Sequence, residues 1–438
     1  MPYRREILKV KTIEIKSYRF NFEREPLAKP FQFKGSSFQE KWTLVVGLES
    51  SRGTRSTGIG GTAVLWSDPA VFSSFSEAGG NAIMAAMAEK GAQLAAGRSF
   101  ENPVELMETI IPRVHDFGVH ITGKGDLKKT FTLNSLVALD LAFWKLVFLE
   151  NGFSDFDRMI PGEYRPALGH RLGRIARLPV VSYDCSMAEL GKFVDQGHFF
   201  LKVKIGQAGS PEEMIRKDAA RLEEIHKAFR ERTVPQSPTG KVWYYLDGNG
   251  RYPDKASLKR LIRRAEELGM LDQIALVEEP FPGEVREDVS DLPVRVAADE
   301  SVEDEDQVLE RIRLGYRAIA IKPAGKTLSM SLKMIRAAHQ GGVACFVADN
   351  ACIPLLLEWN KNIAARLGPF PGLDAGILES NGEQNYKYWP RMIADHPLRG
   401  AGWIEPRDGF FHLGSEFYRI SGGIFLAPGH YQDLVAEE

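Results

Sequence analysis

From Pro179 to about residue 380 the chain passes eight times through a short apolar run, and helical patterns separate most of these runs. The runs fall at 180–183, 199–205, 242–247, 274–278, 294–299, 318–322, 344–348 and 376–379. Between them, 211–232 places Ile215, Leu222, Ile225 and Phe229 on one stripe, with Pro211 suited to a first helical turn. Segments 257–268 and 304–314 show the same periodicity. Eight strands with intervening helices over roughly 200 residues predict an α/β chain folded as a (β/α)8 barrel of the TIM type. An open doubly wound sheet is the alternative.

The first 165 residues have another texture. Residues 8–20 alternate as a strand, and 42–48 form a second apolar run. A polar segment with phenylalanines and a glycine, 31–41, lies between them. SSRGTRSTGIGG then reads as a glycine-rich loop reaching Gly61. Helices are expected at 77–96, 104–115 and 132–150. The last is apolar almost all round, which predicts deep burial, and Gly152 stops it. This predicts a small α+β domain over 1–165, a barrel over 166–390, and a C-terminal segment, 391–438, that returns to the first domain.

Composition narrows the partners. Lys and Arg number 56 against 58 Asp and Glu, a net charge of −2, so neither nucleic acid nor an anionic membrane is an expected partner. No apolar stretch approaches the roughly 20 residues that span a bilayer. The N-terminus reads as a strand and not as a signal peptide. Cys185, Cys345 and Cys352 are an odd, sparse set without a CxxC pair, which fits a reducing, cytoplasmic setting.

Five of the eight runs end in charge. FFLKVKIG supplies Lys202 and Lys204, two apart and therefore on one face. VWYYLDGNG supplies Asp247; IALVEEP, Glu278 or Glu279; VRVAADES, Asp299 or Glu300; AIAIKPAG, Lys322. Barrel strands present functional groups at their C-terminal ends. Three converging carboxylates repel unless a cation lies between them, and oxygen donors favour Mg²⁺, with Mn²⁺ the alternative. Adjacent strand residues point to opposite sides, so one of each acidic pair faces the axis, and parity does not choose it. Repulsion between Lys202 and Lys204 would lower the pKa of one of them, as a base near neutral pH requires. Lys322 is expected across the ring, where two lysines could each handle a proton on opposite faces of one carbon.

At these residues the chain resembles the enolase superfamily, in its muconate lactonizing enzyme-like branch (the mandelate racemase/muconate lactonizing enzyme family). Lys202-Val203-Lys204 is similar to the KxK of that family's second barrel strand; the DGN, VEEP, ADES and IKP segments are similar to its later motifs. The resemblance implies that residues 1–165 cap the barrel. It implies Asp247, Glu278 and Asp299 as metal ligands, with Asn249 following the first. It implies Lys204 and Lys322 as the acid/base pair, with Lys202 holding the enolate. The implied chemistry is Mg-dependent removal of the proton α to a carboxylate through an enediolate. A racemase or epimerase of an amino acid, dipeptide or related acid ranks first, and a cycloisomerase or dehydratase on the same site is the alternative. A non-catalytic metal-binding barrel is the alternative from another class. The expected partner is a small carboxylate, and a homo-oligomer is expected.

Further residues fill in the pocket. The seventh run, ACFVADNA, carries Asp349 where a mandelate racemase-type site would need His; Asp349 either contacts substrate or caps the next helix. Tyr183 and Glu379, at the ends of the first and eighth runs, are expected in the pocket wall. Glu379 would favour an amine-bearing substrate unless it pairs with a pocket lysine. Segments 31–41 and 54–62 are expected to close over the mouth, with Gly58, Gly60 and Gly61 suiting either a mobile lid or a plain turn.

Overall fold

The computed structural model describes residues 10–33 and 36–436. The expected strand at 8–20 begins outside that range, and the described part of it belongs to a longer strand, Ile13–Phe33. That strand and Ser36–Ser50 form an antiparallel hairpin, with a register shift between Pro26 and Phe31. Arg55–Gly61 adds a third antiparallel strand, from Thr43 opposite Gly61 to Glu49 opposite Arg55.

This third strand corrects the expectation of a glycine lid. Residues 56–61 are buried, and helix Val137–Asn151 lies against them. A Cβ at Gly58 would sit 1.9 Å from the Ala138 carbonyl oxygen, and one at Gly60 2.7 Å from the Ala138 nitrogen. Glycine is used here so that two backbones can approach closely.

The helix expected at 132–150 is two helices, Lys129–Ser135 and Val137–Asn151, bent by 51°. The second ends at Gly152 in the left-handed conformation (φ 61°), whose N–H returns to the Leu149 and Phe148 carbonyls. Asp140, fully buried, accepts from the Ser329 backbone N–H at 3.0 Å, and Trp144 Nε1 donates to Ser329 Oγ at 3.0 Å. Thr130 N–H donates to Glu303 at 2.9 Å. These bonds tie the N-terminal helices to the barrel. Among the described residues no single helix is long and apolar enough to cross a membrane.

All eight apolar runs contain strands, and the first starts at Arg174 instead of 180 because Pro179 divides it into Arg174–Leu178 and Val180–Val181. The other seven are Phe200–Lys204, Trp243–Asp247, Ile274–Glu278, Val296–Ala298, Ala318–Ile321, Ala344–Val347 and Gly376–Glu379. Successive strands pair in parallel. The eighth pairs with Arg174–Leu178, and the second with Val180–Val181. The ring thus closes through Pro179, a residue with no N–H to donate. The crossover helices are well capped. Pro211–Phe229 carries a capping box from Ser210 and Glu213, while Asp254 and Asp304 cap Lys255–Glu267 and Glu305–Arg313.

The C-terminal segment touches both parts of the chain. Phe410–His412 pairs antiparallel with Arg174–Leu178. Farther on, Phe425 stacks on Phe148 at 3.5 Å between centroids, and Asn21 Nδ2 donates to the Leu434 carbonyl at 2.8 Å.

Candidate active site

The second strand turns Lys202 and Lys204 into the barrel mouth, as their spacing requires. Lys202 is a hub: its Nζ lies 3.0 Å from Asp247 Oδ2, 2.6 Å from Glu278 Oε2 and 2.8 Å from Glu379 Oε2. Burial alone would lower its pKa, but three carboxylates outweigh that and hold it well above the ordinary lysine value. Lys204 Nζ donates to Asp247 Oδ2 at 2.6 Å and to Asn249 Oδ1 at 2.8 Å. Asn249 takes a positive φ of 44°, which lets its Nδ2 donate to Glu300 at 3.1 Å.

The structure also resolves the two acidic pairs. Glu278, not Glu279, reaches the axis. Glu279 turns aside with φ 38° and accepts from the Asp299 backbone N–H at 2.7 Å and from Ser301 Oγ at 3.0 Å. Burial and the neighbouring Glu300 push Glu279 up to about 7. Asp299, not Glu300, faces Lys322, with 2.7 Å between Oδ2 and Nζ. Burial would raise the pKa of Asp247 and Asp299, but the lysines beside each hold both well below the carboxylate range. Lys322 also lies 4.4 Å from the Trp66 ring centroid. Burial opposes its charge, yet Asp299 and Glu379 raise its pKa overall.

Glu278 tests whether a cation belongs here. It is fully buried, and neither carboxylate oxygen makes a hydrogen bond; Lys202 Nζ is near enough for an ion pair but lies outside hydrogen-bond geometry. Burial, then Asp247, push its pKa well above the carboxylate range. An orphaned carboxylate beside two more is a donor set that suits a hard cation. Among the described residues no three acidic, histidine or cysteine side chains are gathered into a preformed cage. The lysine ammonium groups hold the carboxylates instead, so cation entry requires Lys202 to give way.

Lys202, Lys204, Asp247, Asn249, Asp299 and Lys322 floor a cavity of about 750 Å³, counted out to its mouth. Its roof comes from the N-terminal part of the chain, with Phe31, Phe38, Trp66 and Phe72 among the lining residues. Segment 31–41, whose residues 34 and 35 lie outside the described set, thus contributes to the roof as expected, whereas 55–61 forms the buried strand. Asp349 lines the cavity, but its oxygens are engaged by the turn around it. Oδ1 accepts from the Asn350 and Cys352 N–H groups at 2.8 and 3.0 Å, and Oδ2 from Asn381 N–H at 3.2 Å. Glu379 is committed to Lys202 and accepts from Asn381 Nδ2 at 3.0 Å. Tyr183 is not in the wall. Its hydroxyl donates to the Ile205 and Gly206 carbonyls at 2.9 and 3.3 Å, bracing the turn after the second strand.

Sequence reasoning missed several members. Lys326, one helical turn beyond Lys322, donates to Asp299 through its backbone oxygen at 2.6 Å and Oδ1 at 3.2 Å. The i, i+4 spacing in IKPAGK was the available signal. Lys41 and Trp66 arrive from the N-terminal part of the chain, and nothing local marks them.

The barrel region has relatives among known proteins. The family model Enolase C-terminal domain-like matches residues 186–398, which include all five of the charged strand ends. The domain over residues 186–398 belongs to the enolase superfamily. Its resemblance is to the mandelate racemase/muconate lactonizing enzyme-like members. A dipeptide epimerase from Enterococcus faecalis V583, solved with Mg and L-Leu-L-Tyr, superposes with TM-score 0.61 at 18% identity, covering 92% of this chain and 97% of that one. An L-Ala-D/L-Glu epimerase from Bacillus subtilis gives 0.62 at 20% identity, covering 85% and 91%. An L-talarate dehydratase from Polaromonas sp. JS666, solved with Mg and L-glucarate, gives 0.61 at 15% identity, covering 92% and 93%. These superfamily neighbours share the barrel-and-cap architecture. In sequence, the chain is 34% identical over 131 residues to an o-succinylbenzoate synthase from Yersinia pseudotuberculosis serotype O:1b (strain IP 31758). That match spans 29% of this chain and 38% of the relative's length.

Proposed function

We propose that this protein is a Mg²⁺-dependent enzyme that moves the proton α to a carboxylate, and that its first activity is racemisation or epimerisation. The supporting observation is the placement of Lys204 and Lys322. They come from the second and sixth strands, opposite each other in an eight-stranded ring, and each is held by its own carboxylate, Asp247 and Asp299. Both line the same cavity. A carbon between them is open to a base on one face and an acid on the other. Mg²⁺ held by Asp247, Glu278 and Asp299 would neutralise the charge that builds on the substrate carboxylate. Lys202 would release Glu278 when that cation enters and offer its ammonium to the substrate oxygens. One lysine would take the proton, and the other would return one on the opposite face.

Elimination is the second reading, supported by the o-succinylbenzoate synthase relative. In that case only one of the two lysines transfers a proton. Glu379 no longer argues for an amine-bearing substrate, because Lys202 already occupies it. The free thiols of Cys185, Cys345 and Cys352 are consistent with a cytoplasmic setting.

The test is exchange in D₂O with Mg²⁺ and a library of carboxylic acids, read by mass spectrometry. Deuterium uptake at the α-carbon, lost in Lys204→Ala and Lys322→Ala, supports the proposal. Loss of a water from one acid without exchange supports elimination. Silence from every acid, with Mg²⁺ still bound, refutes both readings for that library and favours a non-catalytic barrel.

A further inference from the structure

Helix Val137–Asn151 is buried on nearly every side and carries three buried ionisable side chains, Asp140, Lys145 and Glu150. Two of them are matched. Asp140 accepts from Ser329, and Glu150 pairs with Arg52 at 3.2 Å. Lys145 is not. It is 7% exposed, and among the described residues no group accepts a hydrogen bond from it or pairs with its charge. Lysine is almost never this deeply buried unless paired, because a buried cation without a counter-charge is costly. Burial, with no charged neighbour to offset it, lowers its pKa to about 8.

Lys145 lines a second cavity, of about 280 Å³ counted out to its mouth, away from the one at the barrel mouth. Three parts of the chain meet there. Ile59 comes from strand Arg55–Gly61; Leu355, Leu356 and Trp359 from helix Pro354–Ala364; Ile424, Leu426 and Pro428 from the C-terminal segment. Lys145 is the one ionisable residue in this lining. Phe425 stacks on Phe148 and meets Trp359 edge-on at 5.8 Å, which pins the C-terminal side of the cavity. Leu426 is 44% exposed and sets the rim at the surface. An ammonium without an acceptor, walled by hydrocarbon, matches a molecule with one anionic head and an apolar tail. The volume, below the roughly 300–1,000 Å³ of drug-sized sites, holds the tail to a few carbons. A phosphate would bring more charge and more acceptors than one lysine can match, and the hydroxyls of a sugar acid would meet no partner on these walls.

We infer that the Lys145 cavity is a binding site for a short aliphatic monocarboxylate, distinct from the proposed active site and independent of the reaction proposed there. The carboxylate supplies the counter-charge that Lys145 lacks. The alkyl tail lies among Leu355, Trp359 and Ile424, where it bridges the barrel helix and the C-terminal segment.

The probe is pentanoate, compared with acetate, which keeps the head, and with pentanamide, which keeps the tail. Calorimetry on the full chain with Mg²⁺ at pH 8, in two buffers of different ionisation enthalpy, reads affinity and proton uptake together. Pentanoate is expected to bind about tenfold or more tighter than either control. The free amine is about half neutral at that pH, so binding takes up about half a proton. Lys145→Met removes an unpaired buried cation, keeps an apolar stem, and abolishes both the binding and the uptake. Lys145→Arg stays charged, so it keeps the binding and loses the uptake, which reads the site without the methionine variant. Pentanamide binding as tightly as pentanoate overturns the inference and leaves an apolar crevice. Pentanoate binding unchanged in Lys145→Met overturns it and moves the ligand to the barrel mouth. Absence of pentanoate binding up to about 10 mM also overturns it.

Discussion

Replacing Gly58 by alanine tests the glycine with the least room for a side chain among the described residues. The new Cβ would meet the Ala138 carbonyl oxygen at 1.9 Å and the Ala142 nitrogen at 2.4 Å. Restoring an ordinary contact of roughly 3.4 Å requires strand and helix to part by about 1.5 Å (3.4 − 1.9). Neither obstacle is a side chain that can rotate away. Overpacking usually costs 1–3 kcal/mol, and backbone-on-backbone contact puts this case at the upper end, about 3 kcal/mol. Alanine also restricts the unfolded chain, which returns about 0.4–1 kcal/mol. The net expectation is a loss of about 2–3 kcal/mol. At Gly60 the obstacles are 2.7 and 3.1 Å away, which implies about 1–2 kcal/mol. At Gly61 the nearest atoms are a Leu356 methyl and Lys41 Nζ, both at 3.6 Å, and the change falls within about 0.5 kcal/mol. Urea unfolding of the three variants, compared by midpoint at unchanged slope, gives the ranking. Coincident midpoints for Gly58→Ala and Gly61→Ala would refute the strand–helix approach and restore the mobile-loop reading.

Other outcomes follow from the site and the core. Glu278→Gln should abolish the rise in melting temperature that Mg²⁺ gives the wild-type protein; an undiminished rise would remove Glu278 from the ligand set. Lys204→Ala and Lys322→Ala should each lower α-proton exchange at least a hundredfold while Mg²⁺ still stabilises the protein, as expected for proton-transfer groups. Asp140 is fully buried, and its pKa is pushed up to about 6 from 3.8. A carboxyl raised in the folded state stabilises most below its unfolded pKa and loses that contribution as pH rises through the folded value. The loss between about pH 4 and 6 is at most roughly 3 kcal/mol. Asp140→Asn should flatten the wild-type decline in stability over that window, and parallel pH profiles would contradict the assignment.

The barrel was legible in the sequence because its strands are short apolar runs with charge at one end, a pattern that survives without any knowledge of neighbours. Lys202 and Lys204, two apart on one strand, could be read as sharing a face. The choice of Glu278 over Glu279 could not, because it depends on a positive φ at Glu279 and on the Asp299 N–H that receives it. The strand at Arg55–Gly61 was hidden for a related reason. Glycine in a sequence signals a turn and a close approach alike, and only helix Val137–Asn151 distinguishes them. Tyr183 sat at the end of the right strand, but that strand bends at Pro179, and its hydroxyl swings back to the chain. Lys41 and Trp66 carried no signal as individual residues, because each meets its barrel partner, Asn350 or Lys322, from far along the chain, where no spacing can be detected.

The divided first strand has a consequence for how the ring is held shut. Its two halves pair with different neighbours, the eighth strand on one side and the second on the other, and Pro179, which has no N–H, accepts at its carbonyl from the Lys202 N–H of the second strand at 3.1 Å. The wall is therefore a curled ribbon whose two edges are joined by covalent backbone at a single residue. New termini cut elsewhere in the crossover loops would leave that clasp intact. A permuted chain with its ends at Pro179 would have no covalent clasp, and side chains such as Lys202 on Glu379 at 2.8 Å and the Gln384 amide on Val180 would have to hold the ring there.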